Sequence, residues 1–326
     1  MGKSTPARRN TILCLLLVAQ LGLIAFMFRP ATKAVVGIGP LLKDFKADLV
    51  SAVTITDEKG PAISLVKVAD NWVIGPVTAG RPALPANPEK LTALLAKLAA
   101  LQRDRLATRT PASHNRLKVG QVFARRLSLT TPRGDITILL GSAPNYKNIH
   151  VRLEPENEVY LAQDLSTWEA PVEKTAWWRT DYLKVAPESV TALTLHNPKG
   201  TVSLARDETG AWKMAGQPAD RPLPADAIQT FLTDLCNLTI LQYQEDATRP
   251  AWDKPIATLT LTTATETITL EVGPKDKGKD EYPVKSSAAP FVATASPFAV
   301  KDLLNHQAGD LLQAKTAAAP GQGPAR

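Results

Sequence analysis

The sequence predicts an α+β protein made of two tandem repeats of an antiparallel-sheet-plus-helix domain, preceded by one N-terminal transmembrane helix. Three observations carry this. First, landmarks recur: Lys59-Gly60, Trp72 and Arg81-Pro82 return as Lys199-Gly200, Trp212 and Arg221-Pro222, displaced by 140 residues. Second, an apolar series at helical spacing, Leu91, Leu94, Leu95, Leu98 and Leu101, returns as Ile228, Phe231, Leu232, Leu235 and Leu238, displaced by 137. Third, Leu127-Ser-Leu-Thr-Thr131 returns as Leu259-Thr-Leu-Thr-Thr263, and Gly141 as Gly273, displaced by 132. The offset changes only between blocks, as it does when insertions fall in loops and packed elements keep their length. A period this long far exceeds the 20–50 residues of solenoid units, so each copy is read as a domain in its own right.

The N-terminal element is Thr11 to Phe28, an 18-residue run whose one strongly polar member is Gln20. That length is close to what a helix needs to cross roughly 30 Å of hydrocarbon. Lys3, Arg8 and Arg9 precede it without an acid, which favours a cytoplasmic N-terminus and places the body outside. A cleaved signal peptide would want a shorter apolar core and an Ala-x-Ala-like site, and Thr32-Lys33-Ala34 is a poor one. The expected address is therefore the inner (cytoplasmic) membrane, single-pass, with the C-terminal body in the periplasm or outside.

In the first repeat, Ser51 to Thr56 alternates apolar and polar residues, the pattern of a half-buried strand. Asp57-Glu58-Lys59-Gly60 turns it into a second strand, Ile63 to Val68, and Asp70-Asn71 turns again into Trp72. A Pro-rich bend leads to a helix from about Pro88 to Gln102, with Asn87 as N-cap and Pro88 at the first helical position. Strand pairs follow at Leu127–Thr131 with Ile136–Leu140 and at His150–Leu153 with Val159–Ala162, and a short helix around Leu165–Trp168 closes the copy.

The second repeat follows the same plan. Strands at Val190–Leu195 and Val202–Ala205 lead through Asp207-Glu-Thr-Gly210 to Trp212, and a helix opens near Asp226 and runs to about Ile240. Strands at Leu259–Thr263, Ile268–Val272, Pro283–Lys285 and Phe291–Ala293 come next, then a helix at Phe298–Asn305. Tight turns between strands imply antiparallel pairing. The predicted layout is thus a basic N-terminus (1–10), a signal anchor (11–28), a linker (29–45), a first repeat (46–176), a junction (177–188), a second repeat (189–312) and a disordered tail (313–326).

Composition narrows the function classes. The net charge is +7, but Lys3, Arg8, Arg9, Arg29, Lys315 and Arg326 lie at the two ends and account for nearly all of it. Nucleic-acid binding needs clustered positive charge on a folded face, so no nucleic-acid partner is expected. Cys14 falls in the apolar run and Cys236 in a predicted helix, which leaves the body with no thiol pair for a disulfide or a cysteine zinc site.

No catalytic constellation emerges. The chain has no Gly-Lys-Ser/Thr phosphate loop, no His-Glu-x-x-His helix and no Gly-x-Ser-x-Gly elbow. His114, His150, His196 and His306 are widely separated and read as solvent-facing or hydrogen-bonded residues; no metal and no cofactor is expected. The acids of Glu154-Pro-Glu156-Asn-Glu158 read as a solvated hairpin turn. Lys275-Asp-Lys277-Gly-Lys279-Asp-Glu281 alternates in sign and reads as a surface loop. Trp72 and Trp212 read as core.

The residues best suited to contact something are Trp177, Trp178, Arg179 and Tyr182, types enriched at binding hot spots and placed at the junction of the repeats. They either cement the two copies together or line a groove between them.

The apolar anchor, the strand–turn–strand into Trp72, the Pro-rich entry to a Leu-striped helix and the strand pair ending at Gly141 together resemble a bacterial family, the domain of unknown function 4340. The junction Trp178-Arg-Thr-Asp-Tyr-Leu183 before Val190 fits it too. The resemblance spans roughly residues 45–310 and supplies no catalytic residue. It implies an extracytoplasmic accessory subunit, since members are often encoded beside ABC-type export systems, including gliding-motility-associated ones. The expectation is a membrane-anchored, non-enzymatic accessory or scaffold protein whose partner is an ABC transporter permease or a related envelope subunit. The competing expectation is a ligand-binding module, for example for glycans, with its groove between the repeats. An enzyme would require a cleft that collects distant acids or histidines.

Overall fold

The computed structural model describes residues 16–21, 39–60, 62–77, 82–216, 223–244, 254–276 and 278–312. The described chain is largely β, with antiparallel sheets and few helices, so the sheet half of the expected class dominates. Beyond a helical stretch at 16–21, the α-helices among the described residues are α1 (Pro88–Ala99), α2 (Ala225–Leu235), α3 (Pro297–Asn305) and α4 (Ala308–Leu312). Among the described residues no helix is long and apolar enough to cross a membrane. Residues 16–21 of the expected anchor are helical, with Leu16, Leu17, Val18 and Leu21 exposed. The rest of that segment lies outside the described residues, as do the tail from 313 and the repeat landmarks Arg81 and Arg221-Pro222.

The fold comprises two compact units: one of Met1–Phe45, Lys97–Ala124 and Ile138–Ser166, the other of Lys46–Ala96, Arg125–Thr137 and Thr167–Arg326. The first nine strands are β1 (Ala52–Thr56), β2 (Ile63–Val68), β3 (Asn71–Ile74), β4 (Leu84–Pro85), β5 (Leu106–Thr108), β6 (Arg125–Thr131), β7 (Gly134–Leu140), β8 (Asn148–Glu154) and β9 (Val159–Gln163). Those that follow among the described residues are β10 (Asp181–Lys184), β11 (Val190–Asn197), β12 (Gly200–Arg206), β13 (Trp212–Met214), β14 (Asn237–Thr239), β15 (Gln242–Gln244), β16 (Ala257–Thr263), β17 (Thr267–Val272), β18 (Tyr282–Ser286) and β19 (Val292–Ala295).

In the larger unit, β4-β3-β2-β1-β6 lie side by side, and β13-β12-β11-β16-β17-β18-β19-β15 form an eight-stranded sheet. The alternation read in the sequence is the burial pattern: Val53 and Ile55 of β1 are fully buried and oppose Leu65 and Ile63 on one side, Leu129 and Leu127 on the other. Each such side chain contributes about 1.5–3 kcal/mol of burial free energy. The turn after β1 is set by Asp57, whose Oδ1 accepts the Lys59 N–H at 2.9 Å. Asn87 caps α1 by accepting the Lys90 N–H at 2.9 Å, as its position before Pro88 predicts. Leu91, Leu94, Leu95 and Leu98 are its buried stripe.

Three expectations are corrected. The helix α2 stops at Leu235, where Cys236 caps it through a backbone bond to the Leu232 carbonyl; Asn237–Thr239 then leave the helix to pair as β14 with β10. The element near Leu165 is a single 3-10 turn, Thr167–Glu169. Trp72, on β3 between β2 and β4, and Trp212, on the edge strand β13, are half-buried rather than core.

In the smaller unit, β8-β9-β5 are neighbours, and Leu117, Val119, Leu139 and Val159 form an apolar cluster with Phe123 against it. The acidic run after β8 is paired, contrary to a solvated reading. Glu156 Oε1 receives Arg103 Nη2 at 2.6 Å, Glu154 receives buried Arg152 at 3.0 Å, and Glu158 lies 3.5 Å from Arg109. Arg152 also donates to the Val119 and Glu156 carbonyls at 2.6 and 2.8 Å, so its buried guanidinium is well supplied with acceptors.

Candidate functional site

The junction residues sit where two pieces of the larger unit are stitched together. The Asn87 N–H donates to the Trp177 carbonyl at 2.7 Å, Ala86 bridges Trp178, and the Arg179 N–H donates to the Pro85 carbonyl at 3.0 Å. The segment thereby extends the edge beyond β4. Trp177 is completely buried, its Nε1 donates to the Pro171 carbonyl at 2.8 Å, and Lys90 Nζ lies 4.9 Å above its ring while donating to the Ala176 carbonyl at 2.7 Å. Burial lowers the Lys90 pKa, and nearby Glu173 works against that shift.

Beyond Arg179 the chain enters β10. Four aromatic rings gather there: Trp178 meets Tyr243 edge-on at 6.0 Å, and Tyr182 and Phe291 lie 6.2 and 5.9 Å from Tyr243. The Tyr243 hydroxyl donates to the Arg179 carbonyl at 2.9 Å. Burial pushes its pKa up to about 12 and drives that of Tyr182 upward as well. Both phenols therefore stay protonated and act as hydrogen-bond donors at neutral pH, with no acid–base chemistry in that range.

Next to this cluster lies a cavity of about 590 Å³. Its walls are the β2–β3 turn and β3 (Asp70 to Val73), the Pro85–Ala86 edge with Pro88, Arg179, Asp181 to Val185, Tyr243, Glu266 with Ile268, and Ala288 to Pro290. Of the four junction residues, Arg179 and buried Tyr182 line the cavity, whereas the buried Trp177 and Trp178 do not. Trp72 contributes to the wall, a role the sequence gave no reason to expect.

Five consecutive residues of one segment, Asp181 to Val185, face the space. A strand that presented a face would expose every second residue, so β10 presents its edge. Its neighbour in the sheet order is β14 alone. The Val185 N–H donates to the Cys236 carbonyl on the β14 side, and Leu183 stands opposite Leu238. Antiparallel alternation then directs the Lys184 N–H and C=O away from β14. The charged lining is mixed, with Asp70, Asp181 and Glu266 against Arg179 and Lys184.

All four histidines are hydrogen-bonded: His114 to the Asn157 carbonyl, His150 to Ser142, His196 to Thr201, and His306 to Asp234 and Asp310. Their separation along the chain conceals one gathering, in which Asp234, Asp302 and His306 bring potential ligand atoms within 4.8 Å of one another. The i,i+4 spacing of Asp302 and His306 was the available signal; Asp234 is supplied by helix packing.

The model of one family, described as Domain of unknown function (DUF4340), matches residues 72–255. No curated protein and no solved structure matches the chain.

Proposed function

The chain belongs to this family, and on that premise we propose that it is a membrane-anchored, extracytoplasmic accessory protein that works by docking. In this reading Thr11–Phe28 holds it in the inner membrane, and the cavity beside β10 receives an extended segment of an envelope partner, an ABC transporter permease or a related subunit. The observation that carries the proposal is the β10 edge, which has β14 as its one sheet neighbour and whose residues line a cavity of about 590 Å³. An extended peptide gains main-chain hydrogen bonds from such an edge and side-chain specificity from the pockets beside it.

The body is read as two tandem copies. In support, β3-β2-β1-β6 has the order of β13-β12-β11-β16, and β8-β9-β5 that of β18-β19-β15. A bacterial source and neighbouring export genes belong to the same reading.

The test is photo-crosslinking in intact membranes from a reactive side chain placed at Glu266, which lines the cavity. One envelope protein is expected to be captured. Lys184→Pro, which deletes the outward N–H while leaving the Val185 and Leu183 bonds to β14, is expected to abolish that capture. A cross-link indifferent to Lys184→Pro would sink the proposal.

A second reading is favoured by Trp72. A half-buried indole in a cavity wall is a stacking platform, and with Arg179 and Asp181 it would suit a glycan. Tryptophan fluorescence titration with cell-wall and capsule oligosaccharides separates the readings: a saturable change removed by Trp72→Ala supports the glycan, and silence across the panel removes it.

A further inference from the structure

We propose that one end of the smaller unit seats on the bilayer surface, where a cavity beside the start of β5 and the end of β9 takes a zwitterionic phospholipid headgroup. This rests on the reading of Thr11–Phe28 as an anchor. Residues 29–38 are all that separate Phe28 from Gly39. Fully extended, that stretch reaches at most about 40 Å, and a flexible chain of its length averages about 20 Å. The linker expected to run to residue 45 is docked well before that. Leu41 and Leu42 are buried, the Leu41 N–H donates to the Leu101 carbonyl at 2.7 Å, and the Arg103 N–H donates to the Gly39 carbonyl at 2.9 Å. Arg103 Nη2 also donates to the Leu41 carbonyl at 3.1 Å. Pro40 and Gln102 form an antiparallel bridge, which turns the N-terminal end of the docked segment toward Asp104. A short tether keeps this end of the unit nearest the membrane.

The same end carries a cavity of about 250 Å³, whose lining includes Lys97, Gln102, Asp104, Arg105, Gln163 and Asp164. Gln163 stands opposite Asn148, where β9 ends and β8 begins. Arg105 Nη1 donates to Asn148 Oδ1 at 2.6 Å, so the cavity and the loop before β8 share one rim. That loop is held by Asn145, whose Oδ1 accepts the Lys147 N–H at 3.0 Å and Asn148 Nδ2 at 2.8 Å. On it Tyr146 is 90% exposed, with Lys147 Nζ 5.5 Å from its ring centroid. A tyrosine held out on a fixed turn, with a lysine beside it, suits the membrane–water interface, where an apolar ring body and a polar tip are both accommodated.

The charges in the lining select the headgroup. Two cations and two carboxylates share the cavity, so a lone anion would meet Asp104 and Asp164, and a lone cation would meet Lys97 and Arg105. A phosphate–ammonium headgroup satisfies both pairs. Its phosphate accepts charge-assisted hydrogen bonds from Lys97 and Arg105, and its ammonium donates to Asp104 and Asp164. Ethanolamine fits and choline does not, because a trimethylated nitrogen has no N–H to give the carboxylates. A phosphatidylglycerol headgroup supplies the phosphate and leaves the two acids without a cation.

The experiment uses the full-length chain carrying Cys14→Ser, in nanodiscs of phosphatidylethanolamine and phosphatidylglycerol with a trace of nickel-chelating lipid. A nitroxide is attached at Ala143→Cys, in the Tyr146 loop, or at Asn157→Cys, an exposed position at the other end of the β8–β9 hairpin. The seven residues of β8 set those ends about 20 Å apart. Headgroup nickel is expected to relax the label at 143 several-fold more than the label at 157. Asp164→Asn keeps side-chain shape and tolerates the positive φ of 55° at that position. It should shrink the contrast, as should discs of phosphatidylglycerol alone, with the thermal midpoint unchanged. Equal relaxation at the two positions, stronger relaxation at 157, or a contrast that survives both changes would overturn the assignment. Alkaline carbonate extraction separates this from the anchor reading: a chain stripped from membranes sinks both, whereas a retained chain with equal relaxation sinks this inference alone.

Discussion

The Ser286 N–H donates to the Tyr182 hydroxyl at 3.1 Å, and that hydroxyl in turn donates to the Phe291 carbonyl. One phenol thus ties β10, which follows the junction, to the β18–β19 hairpin more than 100 residues downstream. Both residues are buried, so removing the oxygen strands a backbone N–H and a carbonyl away from water. Tyr182→Phe is expected to cost about 1–3 kcal/mol, read as a lower midpoint in chemical denaturation at unchanged slope. A change within experimental error would show that the hydroxyl is dispensable.

Tyr243, whose ring lies 6.2 Å from that of Tyr182, sets an alkaline limit. Burial raises the folded-state pKa of Tyr243 from 10.0 to about 12. A raised pKa means that the protonated phenol's contribution is complete below pH 10 and is lost as pH climbs through about 12. Denaturation midpoints should therefore hold steady up to pH 10 and fall between 10 and 12. Tyr243→Phe should flatten part of that fall, although it also deletes the bond to Arg179.

Among the described residues, Trp177 is the largest fully buried side chain. Trp177→Ala removes a complete indole from a closed site and is expected to destabilise by about 3–5 kcal/mol. Trp177→Phe retains most of the ring and loses the bond to Pro171, so its cost should be clearly smaller. If the two variants were equally destabilised, the Nε1 hydrogen bond rather than packing would be the dominant contribution.

Cys236 is completely buried at the C-cap of α2, and desolvation, reinforced by Glu188, pushes its thiol up to about 11. Only the thiolate reacts, so labelling of Cys236 by an aromatic disulfide at pH 8 should be far slower than for a free thiol. It should accelerate in denaturant in step with unfolding. Fast labelling of the native chain would contradict both the burial and the cap.

What was legible in the sequence follows from how local each signal is. The β1–β2 and β11–β12 hairpins were readable because alternation and Asx-type turn residues act within a few positions; Asn197 Oδ1 accepting the Lys199 N–H at 2.8 Å is one such turn. The Asn87 cap was readable for the same reason. The strands β5, β14 and β15 were not, since three residues carry too little pattern and their state is decided by a distant partner. Leu238 illustrates this: it continues the helical spacing from Leu235, yet pairing with Leu183 takes it into β14. The junction aromatics could be singled out by type. That Arg179 and Tyr182 would line the cavity while Trp177 and Trp178 do not depends on which edge the segment joins, and no local pattern encodes that. Asp234 is the same case for the His306 cluster.

Gly141 and Gly273, matched in the sequence at a displacement of 132, are expected to respond differently to the same change. A Cβ on Gly141 would sit 2.2 Å from the Leu117 carbonyl oxygen and 2.6 Å from Val119 Cγ1. That carbonyl cannot step aside easily, because the Ser142 N–H and hydroxyl hold it at 2.8 and 3.2 Å. A Cβ on Gly273 would meet Pro283 Cγ at 2.8 Å and its carbonyl oxygen only at 3.5 Å, so a small ring movement relieves it. Alanine also restricts the unfolded chain relative to glycine, a stabilising contribution of about 0.4–1 kcal/mol in both cases. Gly141→Ala should therefore lose about 1–3 kcal/mol to overpacking, while Gly273→Ala stays within about 1 kcal/mol of the parent. Parallel thermal denaturation of the two variants decides it, and equal midpoints would mean that the Leu117 carbonyl yields as readily as a proline ring.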